Sequence, residues 1–516
     1  MSTQETKLKA IADAIREKDG TEEPIAANDF PERIRAIQGG GGIELESIEI
    51  TTPPGKVKYH PGEMFDPAGM VVTATYSNGA TLIATGWAVE PAGPLPEGLE
   101  TVMVRYTEGG VSATASQSIT VTSRWLFGFD INNADSNPAT RVSYPDDVDN
   151  AGFTAAKMNF DTDTFSYGDW PSTPGEKFMP RPCMLRFDGT VAYYLDPDDY
   201  TKKEDGTPSD AANISFGGNA MMEWPKIYTK RWEKDGVYHF RCSDAKVDEE
   251  YECWCNYDRL DNEISHFYTP IFFGSKDSSN RLRSISGQNN SCYTTAQEEV
   301  IYAQANGDDW YTEVVSDWFL LQDLLVMIFK STDLQSVLGA GVVHASTPIT
   351  QGSMNAHGLF WGAGNKTSGV KAFGMENMWG NLWRRIAGWT VSNGVSALKI
   401  TRGTKDGTTE GYNFNGFGYI IVENVALTSE GYISRMHAEC FGRIPQENIG
   451  SSAAYESDYV RASNDSDCYV SIGGDYDSDL RCGPFFVNYL TAPSASGSRR
   501  GAALSCKPLA SIQARN

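Results

Sequence analysis

What this chain lacks limits it first. No apolar run approaches the roughly 20 residues that a helix needs to span a bilayer, because the longest, 318–329, is broken by Gln322 and Asp323. The first twenty residues, MSTQETKLKAIADAIREKDG, are charged throughout and hold no apolar h-region, so no Sec-type signal is expected. Basic residues are scarce: Lys plus Arg number 43 against 67 Asp plus Glu, a formal charge of −24. The average field therefore repels nucleic acid and anionic membranes, and neither nucleic-acid binding nor membrane insertion is expected. Histidine is scarce too, at six residues, and none has HExxH spacing. GxSxG, a P-loop and a GxGxxG opening a helix are all missing. The nine cysteines form no CxxC, which excludes zinc ribbons and thioredoxin-type motifs. Scattered from Cys183 to Cys506, with one close pair at Cys253 and Cys255, they read as reduced, mostly buried thiols of a protein made in the cytoplasm.

The local cluster His437-Ala-Glu-Cys440 reads as a core thiol near a loop histidine. Asp-rich loops at Asp161/Asp163, Asp196/Asp198/Asp199, Asp465/Asp467 and Asp475/Asp477/Asp479 lack the Gly-6 and Glu-12 pattern of an EF-hand, so they read as solvated carboxylates and no metal or cofactor is expected.

What is present divides the chain. With only 21% charged residues, 11% aromatics and 50 glycines, it is folded and loop-rich rather than a disordered acidic tail. Residues 1–38 predict a small helical unit: Leu8, Ile11, Ala12 and Ile15 recur at helical spacing before Gly20, and Asn28-Asp29-Phe30-Pro31 opens a second short helix faced by Ile34 and Ile37. Two such helices cannot bury a core alone, so they are expected to dock on another copy or a larger assembly. Residues 39–42 are all glycine, a flexible linker. Residues 43–122 predict about seven short strands, with Ser77-Asn78-Gly79 as a hairpin turn and no long helix, an all-β sandwich. Its histidine, His60, is read as having no acidic or cysteine neighbour. Residues 123–516 show no second linker, and helices are predicted at 294–306 (Ala296, Val300, Ala303) and 316–330 (Trp318, Leu321, Leu324, Leu325, Ile328) among short strands and long loops.

Three stretches carry resemblances. ITTPPGKVKYHPGEMFDPAGMVVTATYSNGA followed by GLETVMVRYTEGG resembles bacterial Ig-like domains, which serve as spacers or adhesion modules. Over about 180–510, the ordered blocks MMEWPKIY, RLRSISG, ENMWGNLW, GGDYDSDLRCGPFF, Asn488-Tyr489 and GAAL resemble the C-type-lectin-like domain shared by formylglycine-generating enzymes, phage tail-tip proteins and the variable proteins of diversity-generating retroelements. The first forty residues resemble a helical segment at the N-termini of tail proteins of gut-bacterial phages. Together these imply a multidomain chain: a short α attachment segment (1–38), a Gly linker (39–42), an all-β Ig-like sandwich (43–122) and an α+β C-type-lectin-like domain (123–516) with a variable region at about 455–506.

The resemblance implies a phage tail-fibre or receptor-binding protein that is not an enzyme. It would be assembled in the host cytoplasm into the virion, commonly as a homotrimer, joining other tail proteins through residues 1–38 and binding a bacterial surface receptor, protein or glycan. Its ligand-binding positions would be Asp475, Tyr476, Asp477, Ser478, Asp479, Leu480, Arg481, Asn488, Tyr489, Thr491, Ser494, Ser496, Ser498, Arg499 and Arg500 on an exposed face, with Tyr455, Ser457, Asp458, Tyr459 and Arg461 alongside. Independently of family, Tyr, Ser, Asn and Arg are the residues of a paratope. Trp379, Trp383 and Trp389 are expected to be scaffold. The EPN and QPD tripeptides of calcium-dependent lectins are absent, which speaks against calcium-dependent sugar binding. Two alternatives remain: an enzyme of the formylglycine-generating type using Cys468, Cys482 or Cys440, although no close cysteine pair is evident, and a bacterial surface adhesin, against which the missing signal and anchor speak.

Overall fold

Alternation at the start of the second predicted segment builds the strand Leu45–Thr52, whose Leu45 and Ile48 turn inward while Glu46 and Glu49 face water. The computed structural model describes residues 3–30, 33–34, 43–290, 293–399, 419–463 and 468–513. Strands hold 36% of the chain and helices 12%, so the protein is β-rich with a short N-terminal helix. It divides into two compact units, Met1–Arg124 and Trp125–Asn516.

In the first unit the helix Thr3–Asp19 buries Ala12 and Ile15 against Phe30, but leaves Leu8 and Ile11 about 40% exposed (39% and 44%). It stops at Gly20, whose φ of +72° suits glycine and whose N–H donates to the Arg16 carbonyl at 3.0 Å. The predicted second helix starts as a 3-10 turn at Ala27–Asp29. Most of its remainder, and the linker 39–42, lie outside the described residues. Eight strands follow. Leu45–Thr52, Val71–Tyr76 and Thr81–Ile83 form one antiparallel sheet, and Ala88–Glu90, Thr101–Glu108 and Val111–Ser118 another. Lys58–Tyr59 and Thr120–Val121 pair in parallel. The predicted turn closes the hairpin: the Gly79 N–H donates to the Tyr76 carbonyl at 2.7 Å, at a φ of +78°. Val102 and Val104, both fully buried, come from one face of the central strand of the second sheet. One correction concerns His60, which does have an acidic neighbour: Glu63 accepts from its backbone N–H at 2.7 Å in a local turn.

The second unit is organised round the helix Val315–Phe329, in which every residue but Ser316 is buried. A helix apolar on one stripe packs on one side; this one is enclosed on all sides, so its polar residues need internal partners. Asp317 receives Lys507 Nζ at 2.9 Å, and Asp323 receives Arg231 Nε at 2.7 Å and Arg443 Nε at 3.3 Å. The helix Ala296–Gln304 begins with a capping box, Thr295 and Glu298 each bonding the other's backbone N–H, and buries the predicted Ala296, Val300 and Ala303. A seven-stranded sheet runs through Arg181–Arg186, Gly218–Pro225 and His266–Pro270 to Leu504–Cys506. A second large sheet is centred on Trp383–Ser392, flanked by Val395–Lys399 and Cys468–Ile472; beyond the latter come Val487–Thr491 and Tyr459–Arg461. Arg500–Gly501 adds in parallel to Trp383–Ser392.

Trp379, Trp383 and Trp389 are all buried, and Trp379 Nε1 donates to the Gly339 carbonyl at 3.0 Å. All eight described cysteines are free thiols, and seven are buried. The exception is Cys440, which sits exposed at the turn between Arg435–Glu439 and Gly442–Glu447; it is not a core thiol, and His437 lies on a strand rather than a loop. No helix among the described residues is long and apolar enough to cross a membrane.

Candidate binding site

Glycine makes the scaffold of the site possible. Gly473 and Gly474 both have positive φ, +89° and +81°, and a Cβ on Gly474 would lie 2.2 Å from Cys482 Sγ. Gly473 ties the motif to two other stretches, the Gly380 N–H donating to its carbonyl and its own N–H donating to the Phe486 carbonyl, each at 2.9 Å. At the far end of the loop, Trp318 Nε1 and Gln322 Nε2 of the central helix both donate to the Pro484 carbonyl, at 3.0 and 2.7 Å. Between these anchors the loop is held mainly by its own backbone. The Tyr476 N–H donates to Asn381 O at 3.1 Å, its carbonyl accepts from the Ala345 N–H at 2.7 Å, and the Asp479 N–H donates to Val343 O at 2.9 Å.

The loop bounds a surface depression of about 140 Å³ lined by Trp383, Arg461, Asp475, Asp477, Ser478, Arg481, Phe486, Asn488, Arg499 and Arg500. Eight of these ten were named from sequence. They come from four separate stretches, and the sheet brings them together because Tyr459–Arg461 and Val487–Thr491 pair in parallel, while Arg500–Gly501 lies beside Trp383. Asp475 is buried rather than solvated. Its Oδ1 accepts from Ser478 Oγ at 2.7 Å and from the Asp477 N–H at 3.1 Å, closing a tight turn. Arg499 donates to Asp477 Oδ2 at 2.8 Å and to Asp475 Oδ2 at 3.5 Å, and its guanidinium lies 5.2 Å from the Tyr476 ring centre. Arg481 donates to the Ser478 carbonyl at 3.0 Å and covers the Tyr459 ring. Arg461 reaches Glu430 at 3.4 Å. The apolar wall is Trp383 against Phe486, ring centres 4.6 Å apart.

Beyond the lining, Asp479 and Leu480 are exposed; Lys366 Nζ bonds Asp479 at 2.7 Å and holds its carboxyl below the ordinary range. Ser494 and Ser496 are exposed and Ser498 half-buried. Their loop is again held by backbone atoms, Ala495 O accepting from Arg385 at 2.8 Å and Gly497 O from the Tyr293 N–H at 3.2 Å.

Several residues expected on an exposed face are interior instead. Tyr489 packs its ring 6.0 Å from Trp389, and Thr491 is buried because Val487–Thr491 is an inner strand covered on both faces. Tyr476, 8% exposed, packs with Phe273, Val342 and Leu382. Tyr455 is half-buried under Arg141, 5.4 Å from guanidinium to ring centre, and Ser457 is enclosed. Asp458 accepts from the Phe485 N–H at 2.7 Å in a cavity so tight that a Cβ on Gly483 would lie 2.0 Å from its Oδ1. Burial pushes this carboxyl well above its ordinary value. Sequence reasoning had no signal for Gln335, which donates to the Leu480 and Cys482 carbonyls, or for Lys366; both come from distant segments.

The three cysteines considered for catalysis are not assembled. Cys468 pairs opposite Val391, Cys482 packs beside Trp383, and a strand rise of about 3.3 Å per residue puts those places on the order of 20 Å apart. Burial raises the Cys482 thiol well above its ordinary value, which keeps it protonated and poorly nucleophilic. Among the described residues, no group of three or more His, Cys, Asp or Glu is placed to hold a metal ion; Asp465 and Asp467 lie outside those residues. Compared with known proteins, the chain matches no protein-family model and no curated sequence.

Proposed function

We propose that this chain is a bacteriophage tail protein that recognises a bacterial surface ligand, without catalysis, through the depression and rim of its larger unit. In this reading 43–122 is an Ig-like spacer, 123–516 a C-type-lectin-like tip, and the N-terminal helix an attachment segment to other tail proteins. The observation that carries the reading is the convergence of eight sequence-named residues, from four separate stretches, on one depression. Two more features support it. The N-terminal helix keeps Leu8 and Ile11 exposed, as a docking segment would. The rim mixes Arg, Asp, Ser, Leu and a stacked Tyr, the chemistry of adaptable recognition. A homotrimer would multiply weak single-site binding. The test replaces Asp477, Asp479, Leu480, Arg481 and Arg499 together by alanine and measures adsorption to a panel of bacterial strains. Adsorption should fall at least tenfold with the melting temperature kept within a few degrees; unchanged adsorption overturns the reading.

A further inference from the structure

The protein carries 24 more acidic than basic charges, yet the depression is lined by four arginines and only two aspartates, a local balance of +2. Inside the fold the opposite habit holds. Each buried arginine among the described residues (Arg141, Arg231, Arg241, Arg283, Arg384, Arg385 and Arg443) has a carboxylate within 4.0 Å.

In the depression the two aspartates are already engaged by Arg499. Arg461 has one carboxylate, at the edge of reach, 3.4 Å away. Arg481 and Arg500 have none among the described residues. Arg481 meets a backbone carbonyl and the Tyr459 ring, and Arg500 donates to Thr491 Oγ1 at 3.5 Å while its Nε is buried without a hydrogen-bond partner among the described residues. A buried guanidinium donor left unpaired is costly, and a planar fork of N–H groups is shaped for an oxyanion. Burial, with Arg385 and Arg461, disfavours the charge on Arg500 more than Tyr469 and Asp475 favour it, so a bound anion would relieve it.

We propose that the depression binds an oxyanion group, a carboxylate or a phosphate, projecting from the surface ligand, with Arg481 and Arg500 as its principal donors. The inference rests on the receptor-binding reading and names the ligand's chemistry. The volume, about 140 Å³, is below the roughly 300–1,000 Å³ that encloses a whole small molecule, so a single acidic substituent or acidic sugar ring enters rather than a chain. The Trp383–Phe486 wall gives such a ring an apolar face to lie against.

The test titrates the full chain with glucose 1-phosphate and with glucuronate, using glucose as the neutral control, and follows the sugar by saturation-transfer NMR. At least one acid should bind saturably and at least about tenfold tighter than glucose, weakening as salt is raised. Preference for the phosphate or the uronate identifies which acid the natural ligand carries. Arg481→Gln, at a half-buried rim position, should weaken that binding about tenfold with the melting temperature kept within a few degrees, and Arg500→Gln should do so at least as strongly. Equal binding of acids and glucose, or wild-type acid binding by both variants, overturns the inference. If that happens while the alanine-substituted rim still loses cell adsorption, the acidic ligand alone falls and the binding face stands; if adsorption is also unchanged, both fall.

Discussion

Two sets of arginines in one unit are partnered differently: every interior one has a carboxylate, but only two of the four round the depression do among the described residues. Arg141 bonds Glu456, Arg443 bridges Glu456 and Asp323, and Arg231 completes the chain on Asp323, with Arg–carboxylate distances from 2.7 to 3.6 Å and every side chain buried. Around the depression, guanidinium groups meet carbonyls, hydroxyls and aromatic rings as often as carboxylates. The interior set ties the strands Tyr228–Lys234 and Gly442–Glu447 to the central helix; the rim set ties little. A buried charge must be neutralised for the fold to survive, whereas a surface charge is hydrated and can be left for something else.

Breaking the interior set should have the largest effect. Asp323→Ala strips both Arg231 and Arg443 of a carboxylate and should cost about 3–5 kcal/mol of stability, read as a lower urea midpoint; a loss within experimental error would mean the network is solvated. Asp458 sharpens the comparison from the acid side, since it is a buried carboxyl without a cationic partner among the described residues. Its raised folded pKa means its contribution is fullest below the unfolded value of about 3.9 and is lost as pH rises above it. Asp458→Asn keeps an acceptor for the Phe485 N–H, so the difference in melting temperature, variant minus wild type, should grow from pH 4 to pH 8; a flat difference would refute the assignment. The smallest effect belongs to the rim. Asp477→Asn, which loosens Arg499, should change stability by no more than about 0.5 kcal/mol in the same urea assay, and a loss comparable to that of Asp323→Ala would erase the distinction between the two sets.

Much of the fold could be read from local pattern. Alternation located the strands of the first unit, and spacing located the helices near 296–304 and 315–329, because both signals depend on which face of an element meets the core. The pattern at 315–329 could not show that the helix is enclosed on every side, since Gln322 and Asp323 look like a polar face until Pro484, Arg231 and Arg443 are seen beside them. At the site, the positions carried over from the resemblance include Arg461, Asp477, Arg481 and Arg499, which the structure places round one depression. Asp458 and Thr491 satisfy their polar groups in the interior, Asp458 against the Phe485 N–H, and Asn488 lines the depression while its Oδ1 accepts from the Leu490 N–H inside the sheet. Phe486, recognised only as part of a motif, turned out to be a wall of the depression. Lys366 and Gln335 were invisible because contacts more than 100 residues apart leave no local trace.

The backbone anchors of the loop after Gly474 have a consequence for mutation. Gly473, Tyr476 and Asp479 are gripped at backbone N–H or carbonyl groups and Pro484 at its carbonyl; every amino acid supplies the carbonyl and all but proline the N–H. Asp477, Leu480 and Arg481 can therefore be rewritten without erasing the path of the chain, and the same holds for Ser494 and Ser496, whose loop hangs from Ala495 O and Gly497 O. Conserving the frame and conserving the contents become separate demands on this sequence. Side chains on this surface can change while the backbone that carries them keeps its path.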